Sequence, residues 1–162
     1  MATTISIANT NDPIKNNKKN ATTEVADLKS PAELNSDYVT VVHENSSQKE
    51  AKYFSAVISD YDVRQAEGFD ARDKDFTVRW KSNKGFAVAS FDDDGRVINV
   101  KKVLKDVTLP DYIHKHVFQN YEGFEIVKNK YTVSYNLGEE VDKTYMLSLK
   151  NGKEKVKIRV HG

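Results

Sequence analysis

Aromatic and apolar positions divide the chain into an N-terminal segment without aromatic residues and a remainder that holds them all. The eight Tyr, seven Phe and one Trp lie at or after Tyr38, whereas Asn, Thr, Lys and Ser crowd the positions before it. Such a segment buries too little apolar surface to offset the entropy of ordering its backbone. Residues 1–36 are therefore predicted to form a flexible, disordered N-terminal tail.

The first predicted repeat, residues 37–107, begins with a β-branched run at 38–42 that is typical of a short strand. Four apolar residues then recur at the helical spacing i, i+3, i+4 and i+7: Phe54, Val57, Ile58 and Tyr61. This spacing gives a helix one apolar face. The pattern predicts a helix over about 49–63.

Alternating apolar positions follow this helix and predict a three-stranded antiparallel meander. Its strands are expected at 76–80, 86–91 and 96–104. Gly95 lies in the tight Asp-Asp-Asp-Gly turn before the third strand, where a hairpin with a bulge requires a positive φ. The first repeat therefore consists of a helix and a meander.

Residues 108–162 repeat this order of elements. Pro110 suits the first position of a helix, and Asp111 complements the positive end of the helix dipole. The segment 131–135 then matches 76–80 in its apolar and polar positions. An internal repeat of this kind is typical of tandem structural units.

Two more strands complete the second repeat, at 144–149 and 153–160, with an Asn151-Gly152 turn between them. The predicted fold class is α+β. It consists of two tandem repeats, each a helix plus a three-stranded antiparallel meander, with the helices on one face of the sheet.

The turn sequences of both repeats resemble those of PepSY-like domains, which share the architecture of the β-lactamase inhibitor protein. The resemblance is carried by F-D-D-D-G-R-V-I at 91–98 and L-K-N-G-K-E-K-V-K-I at 149–158. A leucine-proline pair before a helix that ends near Tyr121 is similar to the start of such repeats. The resemblance is closest to small exported members from Bacteroidota-type bacteria. It implies export and a non-catalytic role in binding or inhibiting other proteins.

The start of the chain lacks the basic residues and continuous apolar stretch of a signal peptide. We expect a periplasmic or secreted protein whose signal has been removed, and a cytosolic location stays open. No apolar run approaches the roughly 18 residues of a membrane span. With 25 basic and 24 acidic residues, the chain has no overall basic character, which argues against nucleic-acid binding.

Candidate metal and catalytic groups are few. The chain has no Cys, which removes disulfides, thiolate catalysis and cysteine-held metals. His114 and His116 lie two residues apart in a predicted helix and point about 200° apart, so they do not chelate one ion. Together with His43 and His161 they are interpreted as surface histidines.

The three acids before Gly95 favour a hairpin turn over a calcium loop, which needs alternating ligands over about twelve residues. The acidic pair at 139–140 falls in a hairpin loop, where water keeps both carboxylates ordinary. The chain also carries no phosphate loop and no nucleophile or metalloprotease motif. We therefore expect no enzyme activity, no cofactor and no metal site.

The last strand carries the clearest candidate surface. Four cations alternate with apolar residues there, so they are predicted to share one face of the sheet: Lys153, Lys155, Lys157 and Arg159. Arg79 is expected on the same face. Trp80 and Tyr135 occupy equivalent repeat positions and are interpreted as core or rim anchors, or as binding hot spots if exposed.

Two functions stay open from the sequence. The first is a non-enzymatic protein-binding module of the cell envelope, an inhibitor or an assembly factor, whose open sheet face binds an acidic protein. The alternative is a periplasmic protein that binds a small ligand or a metal in a pocket between helix and sheet. A solvated face whose lysines only discourage aggregation would also produce the cationic strand. The oligomeric state is left undetermined.

Overall fold

A computed structural model describes residues 2–6, as backbone, together with residues 29–42, 48–72 and 75–162. The helices are α1 (Pro31–Leu34), α2 (Ser36–Val42), α3 (Lys49–Asp60) and α4 (Asp111–Asn120), and a 3₁₀ turn spans Val63–Gln65. The strands are β1 (Ala2–Ser6), β2 (Phe76–Ser82), β3 (Gly85–Phe91), β4 (Val97–Lys105), β5 (Glu125–Asn136), β6 (Asp142–Asn151) and β7 (Glu154–His161). These elements confirm the α+β class.

The described strands form a single sheet in which they follow one another in chain order. Strands β2 to β7 are antiparallel neighbours, and β1 pairs in parallel with the outer side of β2. Strands β1 and β7 therefore lie at the two edges of the sheet.

One core joins the helices to alternate residues of the strands. Phe54 and Ile58 from α3, and Ile113 and Val117 from α4, are buried in the same cluster as every second residue of the central strands. Trp80 is the largest side chain in this core. Because strand side chains alternate, the other half point to the opposite side of the sheet.

The predicted strand at 38–42 is wrong, because Ser36–Val42 forms helix α2. Tyr38 and Val42, four residues apart, are each 1% exposed, and the Tyr38 ring packs edge-on against Tyr135 at 5.1 Å. Residues at i and i+4 share a face in a helix and also in a strand, so this spacing does not distinguish the two structures. The β-branched composition of the segment favoured the strand. Packing of the Tyr38 side of the helix overrides the local β propensity.

The N-terminal tail prediction differs from the structure in two places. Ala2–Ser6 forms β1, and Ser30 starts helix α1 through a capping box in which its side chain and that of Glu33 bond each other's backbone N–H. Three of the five residues of β1 are β-branched, a local strand signal that the tail prediction did not weigh, and β1 pairs with β2. Residues 7–28 of the predicted tail lie outside the described residues.

The remaining elements agree with the predicted order of helix, three strands, helix and three strands. Helix α3 ends three residues early, at Asp60, and Pro110 caps α4 from outside instead of occupying its first position. Strand β5 begins at Glu125, six residues before the predicted start, and contains a bulge between Ile126 and Lys128. A bulge interrupts the alternation that the sequence pattern relies on.

Candidate functional site

The face of the sheet opposite the helices, here called the open face, contains a concave depression of about 590 Å³. Its lining comes from strands β3 to β7. We call this depression the groove. Strand register brings its side chains together: Lys105 lies opposite Lys130, Lys130 opposite Met146, and Met146 opposite Arg159.

Positive charge dominates the groove. Four exposed cations line it, against one carboxylate, that of Asp142. The cations are Lys101, Lys105, Lys130 and Arg159. Within the described part of the chain none of the four forms an ion pair, whereas Asp142 Oδ1 lies 3.5 Å from His161 Nδ1. The groove is therefore more positive than the chain as a whole, whose formal net charge is +1.

Apolar side chains form part of the groove between these cations. Phe86, Val103 and Met146 all line it, and Val103 is only 9% exposed although it points away from the helices. The Arg79 guanidinium carbon lies 4.2 Å from the centre of the Phe86 ring, a cation–π contact at the edge of the groove. Phe, Met and Arg, which the groove contains, are enriched at protein-recognition surfaces, and lysines at such surfaces contribute electrostatic steering.

Strand β7 carries the predicted cationic residues, with one difference. Lys155, Lys157 and Arg159 are exposed and alternate with Ile158 and its apolar neighbours, as expected. Lys153 lies in the turn before β7, which starts at Glu154, so it is not part of the strand. The Asn151–Glu154 pair closes a two-residue turn, and turn positions do not follow strand alternation.

Trp80 and Tyr135 are not surface residues, which removes them from the predicted partner-binding set. Trp80 is 1% exposed and Tyr135 is 2% exposed. The Tyr61 ring packs edge-on to Trp80 at 5.3 Å, and burial raises the pKa of the Tyr135 phenol above its ordinary value. Both belong to the buried core. For Trp80 this follows from strand geometry, because Arg79 beside it points to the open face and adjacent strand residues point to opposite faces.

The sequence interpretation missed most residues of the groove. Lys101, Lys105 and Lys130 are far apart from Arg159 in sequence, and only strand register makes them neighbours. A signal was present, because Lys101 and Lys105 alternate with buried residues of β4. The register of β4 with β5, which brings Lys130 next to Lys105, is not specified residue by residue in the sequence.

The acidic turn is built as a turn. Asp92 Oδ1 accepts hydrogen bonds from the backbone N–H of Asp94, at 3.1 Å, and of Arg96, at 2.7 Å. Gly95 takes the predicted positive φ, at 87°. The three carboxylates at 92–94 approach within 4.8 Å of one another and form the one such cluster among the described residues. Asp92 is engaged by the backbone, which supports the turn interpretation.

The histidines lie apart. His114 is exposed and His116 is half-buried on α4, while His161 faces Asp142 at the end of β7. His43 lies outside the described residues. No histidine takes part in a potential metal cluster in the described stretches.

A second depression lies between helices α2 and α3. Its volume is about 400 Å³, and its described lining includes Val39, Val42 and Ser55. Beneath it, the ammonium of the fully buried Lys102 donates a hydrogen bond of 2.8 Å to Ser55 Oγ. This cleft lies between two helices, whereas the sequence predicted a pocket between helix and sheet.

Comparison with protein-family models, with curated proteins and with solved structures finds no match. Of the helices in the described stretches, none has the length and apolar character needed to cross a lipid bilayer.

Proposed function

We propose that this chain is a non-enzymatic protein-binding module whose open face binds an acidic segment of another protein. The groove carries this proposal, because it combines four cations, one carboxylate and apolar floor residues in one concave surface. Exposed charge alone is common on solvated sheets. A concave cationic surface with Phe86 and Met146 in it offers both electrostatic attraction and apolar contact area.

Charge complementarity determines the chemistry of the partner. Asp and Glu side chains of the partner can each approach a different groove cation. Such pairing speeds the encounter of the two proteins and disfavours binding of cationic proteins. Because these cations are exposed, their attraction falls with salt: the Debye length shortens from about 8 Å at 0.15 M to about 3 Å at 1 M. The partner complex is therefore expected to weaken strongly in high salt.

The tandem-repeat interpretation remains part of the proposal. In its support, buried residues alternate with half-buried ones in the same way over 76–80 and 131–135, and over 86–91 and 144–149. This agreement is what two copies of a helix-plus-meander unit would produce. Together with the PepSY-like turn sequences, it supports a module of the cell envelope, periplasmic or secreted, that acts as an inhibitor or an assembly factor.

The alternative, a small-ligand protein, has one observation in its favour, the cleft between α2 and α3. Its described lining includes Lys52 and Asp60, both exposed at the surface. Ligand sites bury most of their ligand, and a surface cleft of this kind does so less well. Acidic protein binding therefore remains the first proposal.

The experiment compares capture by two variants of equal charge. Lys105→Glu with Lys130→Glu reverses two groove cations, whereas Lys49→Glu with Lys115→Glu makes the same change on α3 and α4. Each folded variant is immobilised and exposed to a cell-envelope extract at low and high salt. We expect a salt-sensitive partner to bind the wild type and the helix variant but not the groove variant. Equal capture by both variants would refute a role for the groove.

A further inference from the structure

The outer edge of β7 is a second feature of the same region. In the described sheet no strand lies beyond β7, whereas the opposite edge strand of the meander, β2, is covered by β1. Strand β7 spans Glu154–His161, eight residues of regular pairing with β6 and without a bulge. An uninterrupted edge of this length can accept another extended segment by backbone hydrogen bonding.

Hydrogen-bond alternation identifies which β7 amides face outward. Gly162 N donates to Lys143 O at 2.8 Å, which makes these two residues a hydrogen-bonded pair. In an antiparallel ladder hydrogen-bonded and non-hydrogen-bonded pairs alternate. Even-numbered β7 residues therefore bond β6, and the N–H and C=O of Lys155, Lys157 and Arg159 point away from it.

Three of the residues with outward backbone groups, Lys155, Lys157 and Arg159, also place cations on the open face. We propose that the β7 edge binds an acidic, extended segment of the partner protein as an added strand, next to the groove. This inference rests on the proposed function, because it specifies the conformation in which the acidic partner binds. Glu or Asp at every second position of that strand would lie beside Lys155, Lys157 and Arg159, since directly paired residues share a face.

A second copy of this chain fits the edge poorly. If two β7 strands paired antiparallel with their open faces on the same side, every register would set residues of the same parity opposite one another. Lys157 would then face Lys157 or Arg159 of the other copy, and like charges directly opposite are destabilising. The charge pattern that disfavours self-association is the one that favours an acidic strand.

The test separates backbone pairing from charge. Lys157→Pro removes a cation and an outward N–H, whereas Lys157→Thr removes the same cation and keeps the N–H. Because the Lys157 N–H does not bond β6, proline at this edge position leaves the sheet ladder intact. Lys155→Pro and Lys155→Thr, at a position of the same orientation, repeat the comparison if the first proline variant does not fold.

The probe is a synthetic peptide that alternates Glu with Val, and its control carries Lys in place of Glu. We expect Lys157→Thr to bind the acidic peptide somewhat more weakly than the wild type, because one cation is lost, and Lys157→Pro to bind it about tenfold or more weakly than Lys157→Thr. Hydrogen exchange measured by NMR should slow at the amides of Lys155, Lys157 and Arg159 when the peptide is bound. The Lys-containing peptide should not bind.

Three results would overturn strand addition: no binding of the acidic peptide, equal binding by the Pro and Thr variants, or unchanged exchange at the outward amides. The partner captured from the extract distinguishes this failure from that of the proposed function. A partner lost with Lys105→Glu and Lys130→Glu but kept with Lys157→Pro would leave the groove proposal standing and refute strand addition. A partner kept by the groove variant would refute the proposed function itself.

Discussion

Replacement of Asn35 by alanine should destabilise the protein strongly, because this side chain joins three elements. Asn35 is 1% exposed. Its Nδ2 donates to the carbonyl of Ser59 at the end of α3, at 3.1 Å, and its Oδ1 accepts from the backbone N–H of Val97 at the start of β4, at 2.9 Å. The short segment between α1 and α2 is thereby fixed to both helix and sheet.

The magnitude follows from the two groups that alanine would leave without a partner. A buried donor or acceptor that loses its hydrogen bond costs about 1–3 kcal/mol. Both Ser59 and Val97 are buried, at 6% and 1% exposure, so water does not readily replace the amide. We therefore expect Asn35→Ala to lower the free energy of unfolding by about 2–6 kcal/mol, the sum of the two costs.

Urea unfolding followed by circular dichroism measures this change, provided that the m-value stays constant. Asn120→Ala is the control, because Asn120 is exposed and its hydrogen bond among the described residues stays within its own helix, to the carbonyl of His116. We expect the control to change stability by less than about 0.5 kcal/mol. A loss for Asn35→Ala no larger than that of Asn120→Ala would show that the α1–α2 segment is not held as described.

Three further predictions concern the loop before α4, the 3₁₀ turn and the core. Asn129 bonds both the N–H and the carbonyl of Val107, each at 2.9 Å, so Asn129→Ala should cost about 1–3 kcal/mol in urea unfolding. Hydrogen bonds from Arg64 hold the pKa of Asp62 below its ordinary value. The Asp62 carboxylate therefore stabilises the folded protein at neutral pH, and this stabilisation is lost as pH falls through the lowered pKa. In unfolding measured from pH 7 to 2, Asp62→Asn should lack this acid-dependent loss, which amounts to less than about 1 kcal/mol. Trp80, the single tryptophan, should be quenched weakly by acrylamide in the native protein and readily in urea, and equal quenching would contradict its burial.

The sequence pattern predicted those elements whose periodicity is imposed by burial. Helix α3 has an apolar side of consistent helical spacing, and β2 over 76–80 and β3 over 86–91 alternate between buried and half-buried residues. The strand prediction for 38–42 failed because the β-branched composition of this segment fits a strand locally. The contact of Tyr38 with Tyr135 and the hydrogen bond between Asn35 and Val97, by contrast, join residues that are distant in sequence. Such tertiary contacts carry no local signal.

The candidate site was predictable only in part for a related reason. Alternation within β7 placed Lys155, Lys157 and Arg159 on one face correctly. The same rule excludes a surface that contains both Arg79 and Trp80, because consecutive strand residues point to opposite faces. Lys130, by contrast, joins the groove through pairing between β4 and β5, which the sequence does not specify residue by residue.

The most direct test of the central claim is salt-dependent capture of a partner by the groove variant and its matched helix variant. We expect Lys105→Glu with Lys130→Glu to abolish capture at low salt, Lys49→Glu with Lys115→Glu to preserve it, and 1 M salt to weaken capture by the wild type. Both variants have the same net charge, so a difference between them locates binding on the open face. Loss of capture in both variants, or in neither, would contradict partner binding at the open face.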